Sequence, residues 1–336
     1  MKKNEIDIIK DLWQVLANEK AHGLVKRALD LQTNLRMYCT FDYPKEEFGI
    51  AFSFDSGIHV DMSSVDNLSN IRVSLYDDKS YPNANLVVIQ LLDHDARAFD
   101  IFAYLCGNVV AGVIEKRTEK ECVKCVFDRI RKWEEIFAKK YRNALSAQEQ
   151  SGLFGELYFI KKLATLKGNI AFAIDSWYGS SASVQDFITK DWNVEVKTAL
   201  PNATHLTING ELQLDETCND LLLFCLLVES DSGNGKSLPE IIQDIRNDIS
   251  NDKSLYDAFN LKLLKAGYYD SDVDVYKNKF YTIRRESFYH VNGNFPRIKK
   301  DELRKGVSRV KYMISLSELS SYMITETDFN NIISKS

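Results

Sequence analysis

The segment from Gln185 to Thr198, QDFITKDWNVEVKT, is the feature that most constrains how this chain folds. Its second half alternates apolar and polar residues, the pattern of a β-strand whose side chains point to opposite faces in turn. Glu195 and Lys197 therefore face one side of the strand, while Val194 and Val196 face a core. An acid and an amine are placed next to each other on a single surface.

A hairpin before this strand would add a second acid. A turn at Lys190 and Asp191 would fold residues 184–189 back against the strand. Asp186 would then lie near Glu195. The pattern predicts two carboxylates and a lysine that converge on one ion.

Composition and length describe an ordinary globular chain. The 336 residues are 45% hydrophobic and 27% charged, enough for one large domain or for two to three modules. The N-terminus, MKKNEIDIIKDLWQVL, has acids in its first turns and no small-residue cleavage site, so we do not expect a signal peptide. No uninterrupted apolar run approaches the roughly 18 residues that span a bilayer. Six scattered cysteines favour a reducing compartment. We expect a cytoplasmic protein without a membrane partner.

Positive charge is concentrated near the C-terminus. Residues 276–311 contain eleven Lys or Arg and three acidic residues, a net charge of +8, although the whole chain carries −5. A basic segment on an acidic body attracts phosphates locally. Alternatively, the segment is a surface hairpin whose aromatic residues face the core and whose basic residues face water. The candidate nucleic-acid-binding residues are Arg284, Arg285, Arg297, Lys299, Lys300 and Arg304.

The N-terminal part reads as an α+β module. Residues 4–32 show helical spacing, and Leu35 to Leu92 breaks into short apolar segments that predict a mainly antiparallel sheet. Helical patterns follow from Ala96 to Glu115 and from Lys120 to Arg142.

The following part predicts a mixed sheet flanked by helices, a fold of the α/β (α+β) class. Ser146 and Glu149 form a capping-box pattern that opens a helix to about Leu166. The apolar run from Leu221 to Val228 predicts a central strand, because both of its faces must be buried. The other predicted elements are strands at Ile170 to Trp177, Val184 to Thr189 and Trp192 to Thr198, and a helix at Leu238 to Ile249.

The predicted boundaries separate four regions. They are an N-terminal α+β module at 1–115, a connecting helix at 116–145, a core at 146–255 and a basic C-terminal region at 256–336 that packs on the core.

Glu156 is an acid on the inner side of its predicted helix, at helical spacing from Ile160 and Leu163. Gly152 and Gly155 precede it in the same helix, and a helical glycine costs about 1 kcal/mol unless another backbone approaches closely. We expect Glu156 to lean toward the same ion, the alternative being an ordinary boundary glutamate.

These residues resemble the PD-(D/E)XK nuclease superfamily, which has the restriction-endonuclease-like fold. Within it, the chain is similar to the bacterial, defence-associated PD-(D/E)XK motif proteins. Gln185 stands where the motif usually has proline. The stretches that carry the resemblance are Gly152 to Leu163 (GLFGELYFIKKL), Gln185 to Thr198, His205 to Leu214 (HLTINGELQL) and Ser237 to Arg246 (SLPEIIQDIR).

The resemblance implies a catalytic role for each acidic and basic residue of the motif. Asp186, Glu195 and the carbonyl of Val196 would bind Mg²⁺, for which Mn²⁺ substitutes. Lys197 would orient or help deprotonate the attacking water. Glu156 would hold a second ion or an outer-shell water.

Three further residues belong to this expectation. Gln213 would bind the attacking water or a phosphate oxygen, and His205 would contact the scissile region. Asp175 is a nearby acid that is an alternative ligand to Asp186.

The function that the resemblance implies is Mg²⁺-dependent hydrolysis of DNA phosphodiester bonds by an endonuclease, in a restriction-like or phage-defence system. DNA and other defence proteins are the expected partners, and a homodimer stays open. The alternative is a non-catalytic DNA-binding or scaffold subunit. A nuclease for RNA or for modified or branched DNA is a third reading.

Overall fold

The computed structural model divides the chain into two compact units. The first contains residues 1–142 and 269–271, and the second contains residues 143–268 and 272–336. The described residues are 5–19, 21–65, 68, 70–139, 144–179, 184–215, 220–231 and 234–335. The ends of the predicted helices at residue 4 and at 140–142 lie outside them.

The first unit is a five-stranded antiparallel sheet with helices. The short apolar segments predict an antiparallel sheet, and the structure gives its strand order as β1-β2-β3-β5-β4. Its elements are α1 (Glu5–Ala17), β1 (Leu24–Ala28), β2 (Arg36–Asp42), β3 (Glu47–Asp55), β4 (Ile71–Asp77), β5 (Ala84–Leu91), α2 (Ala96–Ile114) and α3 (Glu119–Lys139).

The helical prediction for residues 4–32 is wrong beyond Ala17. Gly23 has a φ of +75°, which a glycine adopts without steric penalty, and the chain then enters β1. Pairing of β1 with β2 supplies the backbone hydrogen bonds that a second helix would have made. Tertiary pairing thus overrides a weak local pattern.

Helix α2 is long and apolar enough to cross a membrane by length and composition, the one such helix in the described ranges. Most of its residues are buried in the first unit, including Ile101, Phe102 and Val110. Such burial is typical of the core helix of a folded unit. Asp95 caps its N-terminus by accepting hydrogen bonds from the N–H groups of Arg97 and Ala98.

The second unit contains the mixed sheet that the sequence predicts, in the order β10-β11-β9-β7-β6, with β13 pairing to β11. Strands β7 and β9 run parallel and the other pairs antiparallel. The elements are α4 (Ala147–Lys167), α5 (Ile170–Ser176), β6 (Phe187–Ile188), β7 (Trp192–Ala199), β8 (His205–Ile208), β9 (Asp220–Asp231), β10 (Lys236–Ser237), α6 (Leu238–Asp248), α7 (Lys253–Ala266), α8 (Val273–Tyr276), β11 (Phe280–His290), β12 (Tyr312–Ser315), β13 (Met323–Ile324) and α9 (Glu326–Ser334).

Strand β9 is central and buried on both faces, as its apolar sequence predicts. Leu222 and Phe224 lie in a core with α4, α6 and α9. Leu223 and Cys225 lie in a second core with β8, β12 and the 3-10 turn Leu316–Tyr322. Helices therefore cover one face of the sheet, and a two-stranded sheet covers the other.

Two strand predictions need correction. Ile170 to Trp177 is mostly helix α5, because Asn169 caps the segment through the N–H of Phe172 and its apolar residues pack on α4. The strand predicted at Val184 to Thr189 is only Phe187–Ile188. The capping box of Ser146 and Glu149 is present at the start of α4.

The four predicted regions have different boundaries from the two compact units. Helix α3, most of the predicted connecting helix at 116–145, belongs to the first unit. The predicted C-terminal region at 256–336 contributes β11 to the same sheet as β7 and β9. Strand β11 pairs with three other strands. The first half of the basic segment is therefore part of this sheet and not an isolated surface hairpin.

Candidate active site

The hairpin of β6 and β7 brings Asp186 beside the middle of β7. Phe187 pairs with Val194, so Asp186 lies one residue before the paired segment. Its Oδ2 accepts a hydrogen bond of 2.8 Å from the N–H of Val196. The N–H groups of Tyr178 and Gly179 donate to the carbonyl oxygen of Asp186. The backbone thus holds this acid from both sides.

The alternation of β7 separates its charged residues from its apolar ones. Val194 and Val196 are buried in the core on the helical face of the sheet. Glu195 and Lys197 pair across to Leu223 and Cys225, whose side chains line the opposite core. This is the arrangement that the period of two predicts.

Lys197 bridges the acid and an amide. Its Nζ lies 2.6 Å from Oε1 of Glu195 and donates to Oε1 of Gln213 at 2.9 Å. Burial lowers the pKa of Lys197, but the charges of Glu195 and Asp186 outweigh it, and the net effect is a raised pKa. The amine is therefore held as an ammonium.

Glu195 is a carboxylate that burial leaves poorly compensated. The residue is 1% exposed, and apart from the ion pair with Lys197 neither carboxylate oxygen makes a hydrogen bond of normal geometry. Burial, and then the charge of Asp186, raise the pKa of Glu195 to about 8, while Lys197 opposes the shift. The pKa of Asp186 is also raised, chiefly by burial. Two neighbouring buried carboxylates are costly to keep charged unless further positive charge reaches them.

Glu156 reaches the same cluster from helix α4. The indole N–H of Trp177 donates to its Oε2 at 2.8 Å. Burial raises the pKa of Glu156 well above its usual range, and the charge of Asp186 adds to the effect. The three acids thus lie close enough to shift one another's protonation.

The two glycines of α4 differ in their surroundings. A Cβ at Gly155 would collide with Oγ1 of Thr198, so the glycine lets α4 approach β7 closely. A Cβ at Gly152 would meet open space. The expected close approach therefore holds for Gly155, where a side chain rather than a backbone is the neighbour, and is wrong for Gly152.

A loop after β8 places Gln213 at the cluster. The N–H of Asn209 donates to Oε1 of Gln213 at 2.9 Å, which orients the amide toward Lys197. Gln185, which is 4% exposed, donates through Nε2 to the carbonyl of Leu212 at 3.0 Å. The residue in the proline position of the motif thus supports the loop. Sequence reasoning missed this role because nothing local links residue 185 to residue 212.

Two candidate residues are not brought into the cluster. His205 is exposed at the start of β8, where its ring is 2.9 Å from Oγ1 of Thr204. Asp175 is exposed on α5, and Asp186 rather than Asp175 contacts β7. The catalytic role of His205 stays a prediction.

The candidate nucleic-acid-binding residues differ in their contacts and in their exposure. Arg284 pairs with Glu229 on the neighbouring strand. Arg297 is half-buried and donates to the carbonyl of Leu214 at 2.8 Å. Lys299 is half-buried, whereas Arg285, Lys300 and Arg304 are exposed.

The donor set at the cluster fits a hard divalent cation. In the part of the chain that the structure describes, no group of three or more Asp, Glu, His or Cys side chains has the geometry of a complete metal site. Mg²⁺ needs only one or two carboxylates, because waters and substrate phosphates complete its coordination. Glu195 and Asp186 supply those oxygens, and the ammonium of Lys197 already contacts Oε1 of Glu195. The carbonyl of Val196 as a ligand stays a prediction.

Comparison with known proteins gives one match. A family model described as "Putative PD-(D/E)XK family member, (DUF4420)" matches residues 9–317. Searches of the curated proteins and of the solved structures gave no match. Because the model spans most of the chain and agrees with the motif geometry around Glu195 and Lys197, the chain belongs to this PD-(D/E)XK family.

Proposed function

We propose that this protein is a metal-dependent endonuclease that hydrolyses DNA phosphodiester bonds, in the cytoplasm and in a restriction-like or phage-defence role. One observation carries the proposal: Glu195 is a buried carboxylate that has a second acid, Asp186, beside it and the Lys197 ammonium 2.6 Å from its Oε1. A structural ion pair has no need for a second acid that repels the first. Metal-dependent hydrolysis of a phosphodiester does need a second acid, because both carboxylates bind the metal ion.

The residues divide the chemical work. Asp186 and Glu195 would hold Mg²⁺ or Mn²⁺, which when bound supplies positive charge to the phosphate and lowers the pKa of the attacking water. Lys197 is an ammonium in this arrangement, so it donates a hydrogen bond to the attacking water or to a phosphate oxygen and offsets the developing charge. Gln213 holds that ammonium in place.

Glu156 has a different position from the other two acids. Its carboxylate is fixed by Trp177 rather than by β7. We assign it to an outer position, where it orients water next to the cluster. The basic residues after β11 would hold the phosphates on either side of the scissile bond.

Cleavage of supercoiled plasmid DNA tests the proposal. We expect nicking or linearisation with Mg²⁺ or Mn²⁺ and none with EDTA. Lys197→Ala and Glu195→Ala should each lower the rate by at least about 10²-fold, because each removes charge stabilisation at the reacting phosphate. DNA binding in EDTA, measured by fluorescence anisotropy, should survive in both variants.

Lys190→Ala is the matched control for the lysine variant. Lys190 is exposed at the turn of the same hairpin. Its variant should cleave like the wild type. Full activity in both Lys197→Ala and Glu195→Ala would refute the assignment.

The alternative of a non-catalytic DNA-binding subunit has one observation in its favour. Lys197 already neutralises much of the Glu195 charge at 2.6 Å, as in a closed ion pair. Such a subunit would bind DNA with strong salt dependence and would cleave with none of Mg²⁺, Mn²⁺ and Ca²⁺. The plasmid assay separates the two functions.

A further inference from the structure

The segment 297–311 forms a cationic loop between β11 and β12. It contains seven Lys or Arg and two acids, and residues 304–309 are all exposed. Two acids outside the loop accept hydrogen bonds from it, Glu211 and Asp215. Both lie in the loop 209–215 that carries Gln213, which we call the glutamine loop.

The contact with Glu211 consists of two hydrogen bonds. Its carboxylate accepts the backbone N–H of Val310 at 2.9 Å and that of Arg309 at 3.3 Å. Glu211 is 8% exposed, so these bonds are partly shielded from water. The carboxylate of Glu211 thus binds backbone amides of this basic loop rather than the side chains of Arg309 and Lys311.

The conformation of Arg309 supports a positioning role for this acid. Arg309 has a φ of +58°, in the left-handed region that residues other than glycine seldom adopt. Such a conformation persists where the surroundings hold it. The carboxylate of Glu211 supplies that hold through the N–H groups of Arg309 and Val310.

The opposite side of the glutamine loop touches the catalytic cluster. Gln213 accepts from Lys197 at 2.9 Å, two residues away from Glu211 in the chain. The carbonyl of Leu214 accepts from Arg297, the first residue of the cationic loop. A short path of hydrogen bonds thus runs from the cationic loop through the glutamine loop to Lys197.

We propose that Glu211 is a positioning residue that sets the register between a polyanion on the cationic loop and the Lys197 ammonium. The proposal rests on the proposed nuclease function. Phosphates bound by the loop reach the reacting centre at a set distance because the Glu211 carboxylate fixes the loop to the structure that also holds Gln213. Loss of this acid leaves every cationic side chain present but lets the loop shift.

Steady-state cleavage kinetics on a duplex oligonucleotide test this role. Because misplacement by about 1 Å is enough to slow a positioned reaction strongly, Glu211→Ala should lower kcat by about tenfold or more. The KM should change by less than about threefold, since the charges that dominate affinity remain. Glu211→Gln keeps one oxygen for the N–H of Val310, so it should recover part of the lost kcat.

Asp301→Asn is the matched control. Asp301 is exposed in the cationic loop, and the variant removes the same charge without touching the glutamine loop. Its kcat should equal that of the wild type. Hydrogen exchange provides a readout that does not depend on activity: the amides of Arg309 and Val310 should exchange faster in Glu211→Ala and in Glu211→Gln than in Asp301→Asn.

The outcomes separate two failures. If the wild type cleaves and Glu211→Ala keeps its kcat, or loses affinity alone, the positioning role is refuted and the nuclease function stands. If the wild type does not cleave with Mg²⁺ or Mn²⁺, the nuclease function fails and the positioning role fails with it. If Glu211→Ala does not fold, Glu211→Gln decides, because an unchanged kcat together with unchanged amide exchange overturns the proposal.

Discussion

Two groups of buried acids, one in each unit, are held in opposite ways. In the first unit, Glu47 accepts two hydrogen bonds from Arg72, at 2.9 and 3.1 Å. Asp78 pairs with Lys26 at 2.9 Å. Burial raises the pKa of Asp78, but neighbouring donors, Lys26 included, lower it to about 2. Each of these acids has its own cation.

In the described part of the second unit, three acids lie close to the same cation. Glu156, Asp186 and Glu195 all act on Lys197, and the pKa of each acid is raised, first by burial. A fold that needed only stability would pair these charges or replace them with apolar residues. The difference between the two groups of acids is therefore the number of cations for each acid, and not burial alone, and a shortage of cations is what a proposed metal site requires.

The largest expected effect is on chemistry in the second unit. Glu195→Gln keeps the shape of the side chain but removes its charge, so cleavage should fall by roughly 10³-fold. The plasmid assay measures this change. A variant that cleaves at the wild-type rate would remove the distinction between the two units.

The counterpart in the first unit should affect stability instead. Glu47→Gln removes the charge of a buried acid that pairs with Arg72, whose side chain is partly exposed. The free energy of unfolding of the first unit should fall by about 1–2 kcal/mol. Urea denaturation measures the loss, and plasmid cleavage should be unchanged. Glu46→Gln, at the exposed neighbouring residue, is the control and should be neutral.

Packing of α4 on β7 provides a further test of the second unit. Gly155→Ala places a Cβ against Thr198 and should destabilise the unit by about 1–3 kcal/mol. Gly152→Ala in the same helix meets open space and should stabilise it by up to about 1 kcal/mol. Equal midpoints of thermal unfolding in the two variants would contradict the close approach.

The most gradual effect is the pH dependence of stability without metal. The pKa of Glu195 is raised to about 8 in the folded protein, from an ordinary value near 4.5, so the folded state binds the extra proton between these values. Its contribution to stability is complete below about pH 4.5 and is lost as the pH rises through 8, by at most about 1.4 kcal/mol per pH unit. Urea denaturation in EDTA should show this decline, and Glu195→Gln should flatten it. A wild-type curve as flat as that of the variant would be evidence against the raised pKa.

Prediction from sequence succeeded where the signal was local and periodic. The alternation around Glu195, the capping box at Ser146 and the two-sided apolar run of β9 each specify a structure within a few residues. The prediction of a strand at Ile170 to Trp177 was wrong because the segment IAFAI is apolar enough for a strand. Only the cap at Asn169 and packing on α4 make this segment the helix α5. Short apolar segments do not distinguish the two periods.

The sequence by itself determined which side chains share a face of β7 and that an acid precedes the hairpin turn, because alternation and turn chemistry act over neighbouring residues. Only the tertiary structure decided that Gln185 and Gln213 meet, that Trp177 orients Glu156, and that Glu211 binds the cationic loop. These contacts join residues far apart in the chain. Their partners are selected by the packing of whole strands and loops, which no local pattern records.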